Sequence, residues 1–206
     1  MADLPKDRVN ANQPPFTNSG IDCFGPFFVK RGRSIEKRYG CIFTCLVMRA
    51  IHIEMLHSME ADSFINALMR FKSRRGVPKT IRSDNGTNFV RGDKEIRNSI
   101  GEWNQDKKVQ HWLVTNQIKW IYNPPAASHM GGVWEREIRS ICDVMKAITK
   151  EQVLDDERLS TLFCEIESVI NGSPLTVVSD DHTDPNYTED ATSVGYQLQC
   201  TTRQVH

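Results

Sequence analysis

Apolar positions along this chain first run together, then alternate, then recur at helical spacing, and the order of those changes predicts its elements. Gly20 to Val29 is apolar enough for a strand and is interrupted near Gly25-Pro26, while Tyr39 to Met48 is almost continuously apolar, as an interior strand would be. Ile51-His52-Ile53-Glu54-Met55 alternates with period two, which predicts the outer strand of a hairpin with one face in water. The period then changes. From Asp62 to Arg74 the residues Phe64, Ile65, Leu68, Met69 and Phe71 mark a helix. Asp62 or Ser63 is placed to cap it, Lys72, Arg74 and Arg75 load its last turn, and Gly76 and Pro78 end it. A short strand, Lys79 to Ser83, delivers Asp84 to its C-terminal end before Asn85-Gly86 turns the chain. Residues 92–114 are only weakly patterned for helix, and Gln117 to Tyr122 reads as a fifth strand ended by Asn123-Pro124-Pro125. Trp134, Ile138, Ile141, Met145 and Ile148 then line one side of a long amphipathic helix. Leu159, Leu162, Phe163, Ile166, Val169 and Ile170 mark a last helix, about Glu157 to Ile170.

Strands and helices in this order make an α/β protein. Asp22 falls on the first strand, Asp84 at the end of the fourth, and Glu135 at the opening of a helix. Those three meet only if strands one and four are neighbours and the helix packs across their ends. That arrangement is the ribonuclease H-like fold, a mixed five-stranded sheet flanked by helices. The expected organisation is an arm over 1–15, which holds three prolines, a core over 16–175, and a divergent, acidic, poorly ordered tail over 176–206.

Length and composition narrow the class. At 206 residues the chain can bury a core of ordinary domain size. It has no apolar run of membrane-spanning length and no secretion signal at its start, so no membrane partner is expected. The six cysteines are scattered, four of them in apolar runs, and read as reduced, mostly buried thiols rather than a disulfide framework. Charge sums to zero but is split: residues 1–150 hold 24 Lys/Arg against 15 Asp/Glu, and 151–190 hold one Arg against 11 acids. Basic clusters at Lys30, Arg31, Arg33, Lys37 and Arg38, and at Arg70, Lys72, Arg74, Arg75, Lys79 and Arg82, would draw in a phosphate backbone. Either cluster alone also reads as a solvated helix end or a charged hairpin.

The chemistry rests on three carboxylates in three motifs: Gly20-Ile21-Asp22-Cys23-Phe24-Gly25-Pro26, Ser83-Asp84-Asn85-Gly86-Thr87-Asn88-Phe89, and Gly131-Gly132-Val133-Trp134-Glu135-Arg136. Two Mg²⁺ (or Mn²⁺) ions bring four positive charges into one cavity, and convergent acidic oxygens can hold them while leaving positions open for phosphate and water. Taken singly, Asp22 could be a strand-end residue, Asp84 an Asx turn, and Glu135 a first-turn helix acid.

These motifs, with Met1-Ala2-Asp3-Leu4-Pro5, the loop from Pro124 to Arg136 and Val169-Ile170-Asn171-Gly172-Ser173-Pro174-Leu175-Thr176, resemble the integrase catalytic core of retroviruses and long-terminal-repeat retrotransposons, the BEL/Pao type among them. The resemblance runs to about Asp184. It implies that Asp22, Asp84 and Glu135 hold two divalent ions, with Asp22 bridging them, and serve DNA 3′-end processing and strand transfer. It implies DNA as partner (retroelement ends and target), contacts to DNA from Arg136, Arg139 and Lys146, a homodimer or higher oligomer, and a nuclear site of action if the chain is active. His129 is expected to position or face DNA, and Trp134 to anchor the core. The flanking modules of such integrases are not visible, and Pro185-Asn186-Tyr187-Thr188-Glu189-Asp190 departs from the family text, so weak activity in isolation is expected. The alternatives are a domesticated or truncated nucleic-acid-binding protein without integration activity, and a ribonuclease H acting on RNA:DNA hybrids.

Overall fold

The computed structural model describes residues 13–83, 94–122, 137–145 and 153–173. Its elements are β1 (Asn18–Arg31), β2 (Ser34–Cys45), β3 (Ile51–Leu56), α1 (Ala61–Arg75), β4 (Thr80–Ser83), α2 (Lys94–Gln105), α3 (Lys107–Thr115), β5 (Lys119–Tyr122), α4 (residues 137–145) and α5 (Asp156–Gly172). The strands form one sheet in the order β3-β2-β1-β4-β5. β1, β2 and β3 are joined by short turns and pair antiparallel, as such connections require. The α1 crossover returns the chain so that β4 runs parallel to β1, and β5 follows parallel to β4 after α2 and α3.

Alternation along β1 divides the core between two faces. Ile21 and Cys23 look to one side, with Tyr39, Cys41, Phe43 and Ile81, and are covered by Phe64, Leu68 and Phe71 of α1, Trp103 of α2, and Val109 and Leu113 of α3. Phe24, Ile42, Ile51 and Ile53 look to the other, against Ile141 and Met145 of α4 and Leu159, Leu162, Phe163 and Ile166 of α5. The interruption expected near Gly25-Pro26 is a bulge: Phe24 opposes Gly40 while Phe27 opposes Arg38, so β1 carries one residue more than β2. Gly25 there has φ 125, a conformation that side chains other than glycine rarely adopt.

Two expectations are corrected and a third is sharpened. The face of β3 expected to be wet is dry, with His52 and Glu54 each 3% exposed, because α1 and α5 supply charged partners for both. The cap of α1 is Glu60 rather than Asp62 or Ser63. Ser63 instead spends its hydroxyl oxygen accepting from the backbone N–H of His57 and Ser58. The weakly patterned stretch is two helices split at Asp106, whose carboxylate accepts the N–H groups of Lys108 and Val109 and so starts α3. The arm expected over 1–15 lies outside the described residues except at its end, as does the tail over 176–206.

Candidate active site

Asp22 stands on β1 opposite Ile42, half-buried, with Oδ1 accepting the Cys23 N–H at 2.8 Å. Strand alternation puts it on the same face as Phe24, the face over which α4 and α5 pack. Its preceding neighbour Ile21 pairs with Ser83, the last residue of β4. The end of β4 is locked from behind. Ser83 Oγ accepts from Trp120 Nε1 at 2.8 Å, and Trp120 stacks on Tyr122 with ring centroids 5.5 Å apart. Burial pushes the Tyr122 phenol well above its usual range, so it stays protonated.

The thiol beside Asp22 is inert. Burial pushes Cys23 up, and its contact with Cys41 and the charge of Asp22 add to the shift. Cys23, Cys41 and Cys45 are buried free thiols, Cys142 is half-buried and Cys164 exposed; Cys200 lies outside the described residues.

Of the residues singled out by sequence, Asp22 and Arg139 lie among the described ones, Arg139 exposed on α4. Asp84, Glu135, Arg136 and Lys146 lie outside them, as do His129 and Trp134. Asp22 offers the hard carboxylate oxygen that Mg²⁺ takes, but one carboxylate does not complete a site. Among the described residues no group of three or more His, Cys, Asp or Glu side chains is placed to hold a metal ion.

Sequence reasoning missed a buried ionic network on the opposite face of the sheet. His52 Nε2 meets Glu54 at 2.8 Å and Nδ1 meets Glu167 of α5 at 3.0 Å. Arg70 and Arg74 of α1 reach Glu54 at 2.6 and 2.9 Å, and Arg75 pairs with Glu167. Much of the second basic cluster is thus paired within the protein, Arg70 and Arg74 reaching in from the surface to Glu54 and Lys72 bonded to Asn116. The available signal was complementary spacing, His52 and Glu54 at i, i+2 on a strand and Arg70 and Arg74 at i, i+4 on the helix that follows it.

Three antiparallel strands continued by two parallel ones, with helices on both faces, make the ribonuclease H-like fold. Many solved structures share it, among them the following two. One is a chain of the simian T-cell lymphotropic virus intasome in complex with PP2A regulatory subunit B56 gamma, at 14% identity and TM-score 0.57 over 100% of this chain and 62% of that one. The other is the HTLV-2 integrase catalytic core domain in complex with magnesium, in its dimeric form, at 16% identity and TM-score 0.53 over 82% of this chain and 93% of that one. This chain thus spans less than two thirds of the intasome chain, and at these identities the likeness is one of fold. No protein-family model matches the sequence, and no curated protein does. Among the described residues no helix is long and apolar enough to cross a membrane.

Proposed function

We propose that this chain is the metal-dependent polynucleotidyl transferase core of a retroelement integrase, of the long-terminal-repeat type that BEL/Pao elements represent. One observation carries the reading: Ile21 pairs with Ser83, so Asp22 and Asp84 each follow one member of a cross-strand pair, and Asp22 faces the side that α4 covers. Glu135 precedes α4 by two residues in the chain. Asp84 follows Ser83 directly in the chain, and with consecutive Cα atoms about 3.8 Å apart this adjacency supports reading Asp22 and Asp84 as members of one site, to which Glu135 is assigned as the third carboxylate. The core is taken as 16–175, with 1–15 as arm and 176–206 as tail.

In this reading Asp22, Asp84 and Glu135 hold two divalent ions, which when bound lower the pKa of water and stabilise charge on phosphate oxygens. Asp22 accepts the Cys23 N–H with one oxygen, which fixes the carboxylate plane. Arg139, with Arg136 and Lys146, contacts DNA phosphates and sets register without reading sequence. The two similar structures are a chain of an intasome and a dimeric integrase core in complex with magnesium, and these support DNA, Mg²⁺ and a homodimer for this chain.

The test is Mg²⁺- or Mn²⁺-dependent strand transfer and nicking of labelled duplex DNA by the full chain. Asp22→Asn, Asp84→Asn and Glu135→Gln should each bring product to background and weaken Mn²⁺ binding in calorimetry, while circular dichroism stays unchanged. Wild-type activity that survives Asp22→Asn, or acts on RNA:DNA hybrids alone, sinks the proposal. DNA binding without any metal-dependent product marks a protein that kept the fold and lost the reaction.

A further inference from the structure

The first basic cluster of the sequence divides into two parts with different jobs. Beyond the bulge, β1 and β2 continue as a two-stranded ribbon, residues 27–38, past the ends of β4 and β5. One face of the ribbon is fastened to the body. Phe27 lies edge-on to Phe163 at 5.7 Å, Val29 is buried and bridges Leu154, and the Lys30 N–H donates to the Leu154 carbonyl at 2.8 Å. Arg38, its side chain 4% exposed, grips Asp156 through Nε at 2.6 Å and Nη2 at 3.1 Å, and Glu36 at 2.7 Å.

The other face is left to water. Its cross-strand pairs are Phe28 with Lys37 and Ile35 with Lys30, and Phe28 and Ile35 are 58% and 65% exposed. Arg31, Gly32 and Arg33 form an exposed tip. Lys37 bridges Glu95 and Arg31 stands 3.6 Å from Glu36, whereas Lys30 and Arg33 have no ion pair among the described residues. A rigid basic ribbon that holds a phenyl ring and an isoleucine out in solvent is complementary to a polyanion with an apolar floor. A two-stranded β-ribbon fits the major groove of duplex DNA, where thymine methyls accept apolar contact and phosphates flank both rims. At about 3.3 Å per residue, Phe28 lies roughly 20 Å along β1 from Asp22.

We propose that the 27–38 ribbon is a second DNA-contacting element, seated in the major groove of the duplex that flanks the reacting phosphodiester. Lys30, Arg31 and Arg33 meet phosphates there, and Phe28 and Ile35 lie against the groove floor. The proposal rests on the reading that the chain acts on DNA.

The test titrates the full chain against fluorescein-labelled duplex DNA in EDTA over a salt series. Lys30→Gln with Arg33→Gln weakens binding and lowers the slope of log affinity against log salt by about 1.8, since each phosphate contact accounts for about 0.9. Phe28→Ser with Ile35→Ser weakens binding several-fold at unchanged slope, because apolar contacts release no counterions. Neutralising Lys107 and Lys119, exposed on α3 and β5, leaves both quantities as they were. Unchanged affinity and slope in the Lys30/Arg33 pair, or an equal loss from the Lys107/Lys119 pair, overturns the proposal; the first result leaves the ribbon to a protein partner. Strand transfer is measured separately with Mg²⁺. A chain that joins nothing but shows the slope change refutes the enzyme alone, and an active chain with an unchanged slope refutes the ribbon alone.

Discussion

Gly40 shows how closely the candidate site is packed at the scale of one residue. A Cβ built on it would lie 2.3 Å from the ring of Phe24, two residues along β1 from Asp22, and that ring is already held by Phe27 and Phe163. Gly40→Ala should therefore cost about 1–3 kcal/mol in urea denaturation and lower strand-transfer rate by displacing β1. Equal stability and rate in the variant would show that Phe24 has room to yield. Nothing in the sequence marked this glycine, because its constraint is a contact across β1 and β2 rather than a backbone angle. Asp22 was singled out by its motif, Gly20-Ile21-Asp22-Cys23-Phe24-Gly25-Pro26, taken with two others along the chain, and its position on the first strand is as that reading expected.

Among the elements, α5 does more than cover the sheet. β3 is an edge strand, and unpaired edge groups invite another chain. Asn171 answers both groups of Ile51, accepting its N–H at 2.8 Å and donating to its carbonyl at 2.9 Å, and Glu167 accepts the Ile53 N–H at 3.0 Å. Asn171→Ala removes two hydrogen bonds and should cost about 1–3 kcal/mol, with faster amide exchange at Ile51 and little change at Phe43 in the interior strand. Uniform exchange across β3 in the variant would contradict this role. The hydrophobic stripe of α5 was readable from its 3.6-residue period, and the strands from their apolar runs. What period could not give was the polar edge of the helix, because Asn171 and Glu167 act on a strand more than a hundred residues away. The start of α1 was misread for a related reason: Ser63 caps the preceding turn rather than its own helix.

For the whole molecule, the charge split along the chain is in part a set of internal bonds. Asp156 and Glu167 of the acidic stretch hold Arg38 and Arg75 of the basic one, so the two blocks visible in sequence neutralise each other where α5 meets the body. Burial opposes protonation of His52, but its hydrogen bonds to Glu167 and Glu54 outweigh that and leave it raised from 6.5. Burial likewise opposes ionisation of Glu54 and Glu167, yet His52 and the arginines hold both below 4.5. The His52 contribution is therefore complete below 6.5 and is lost as pH rises through its folded pKa, while the glutamate contribution is complete above 4.5 and is lost on acidification. His57, held low by burial and Arg38, acts only below 6.5 and does not overlap the alkaline limb. Urea midpoints of the wild type should fall on the alkaline side and His52→Gln should flatten that limb; parallel curves would remove the network from the account. Glu54→Ala, which takes one acidic partner from His52, Arg70 and Arg74 while Glu167 still holds His52 and both arginines reach water, should cost about 1–3 kcal/mol. The one-residue bulge after Phe24 governs the surface the molecule presents. Pressing both Gly25 and Pro26 into a regular ladder would turn the arm inside out, setting Val29 opposite Ile35 in solvent and driving Lys30 toward the body, so one unpaired residue decides which face of the arm is basic.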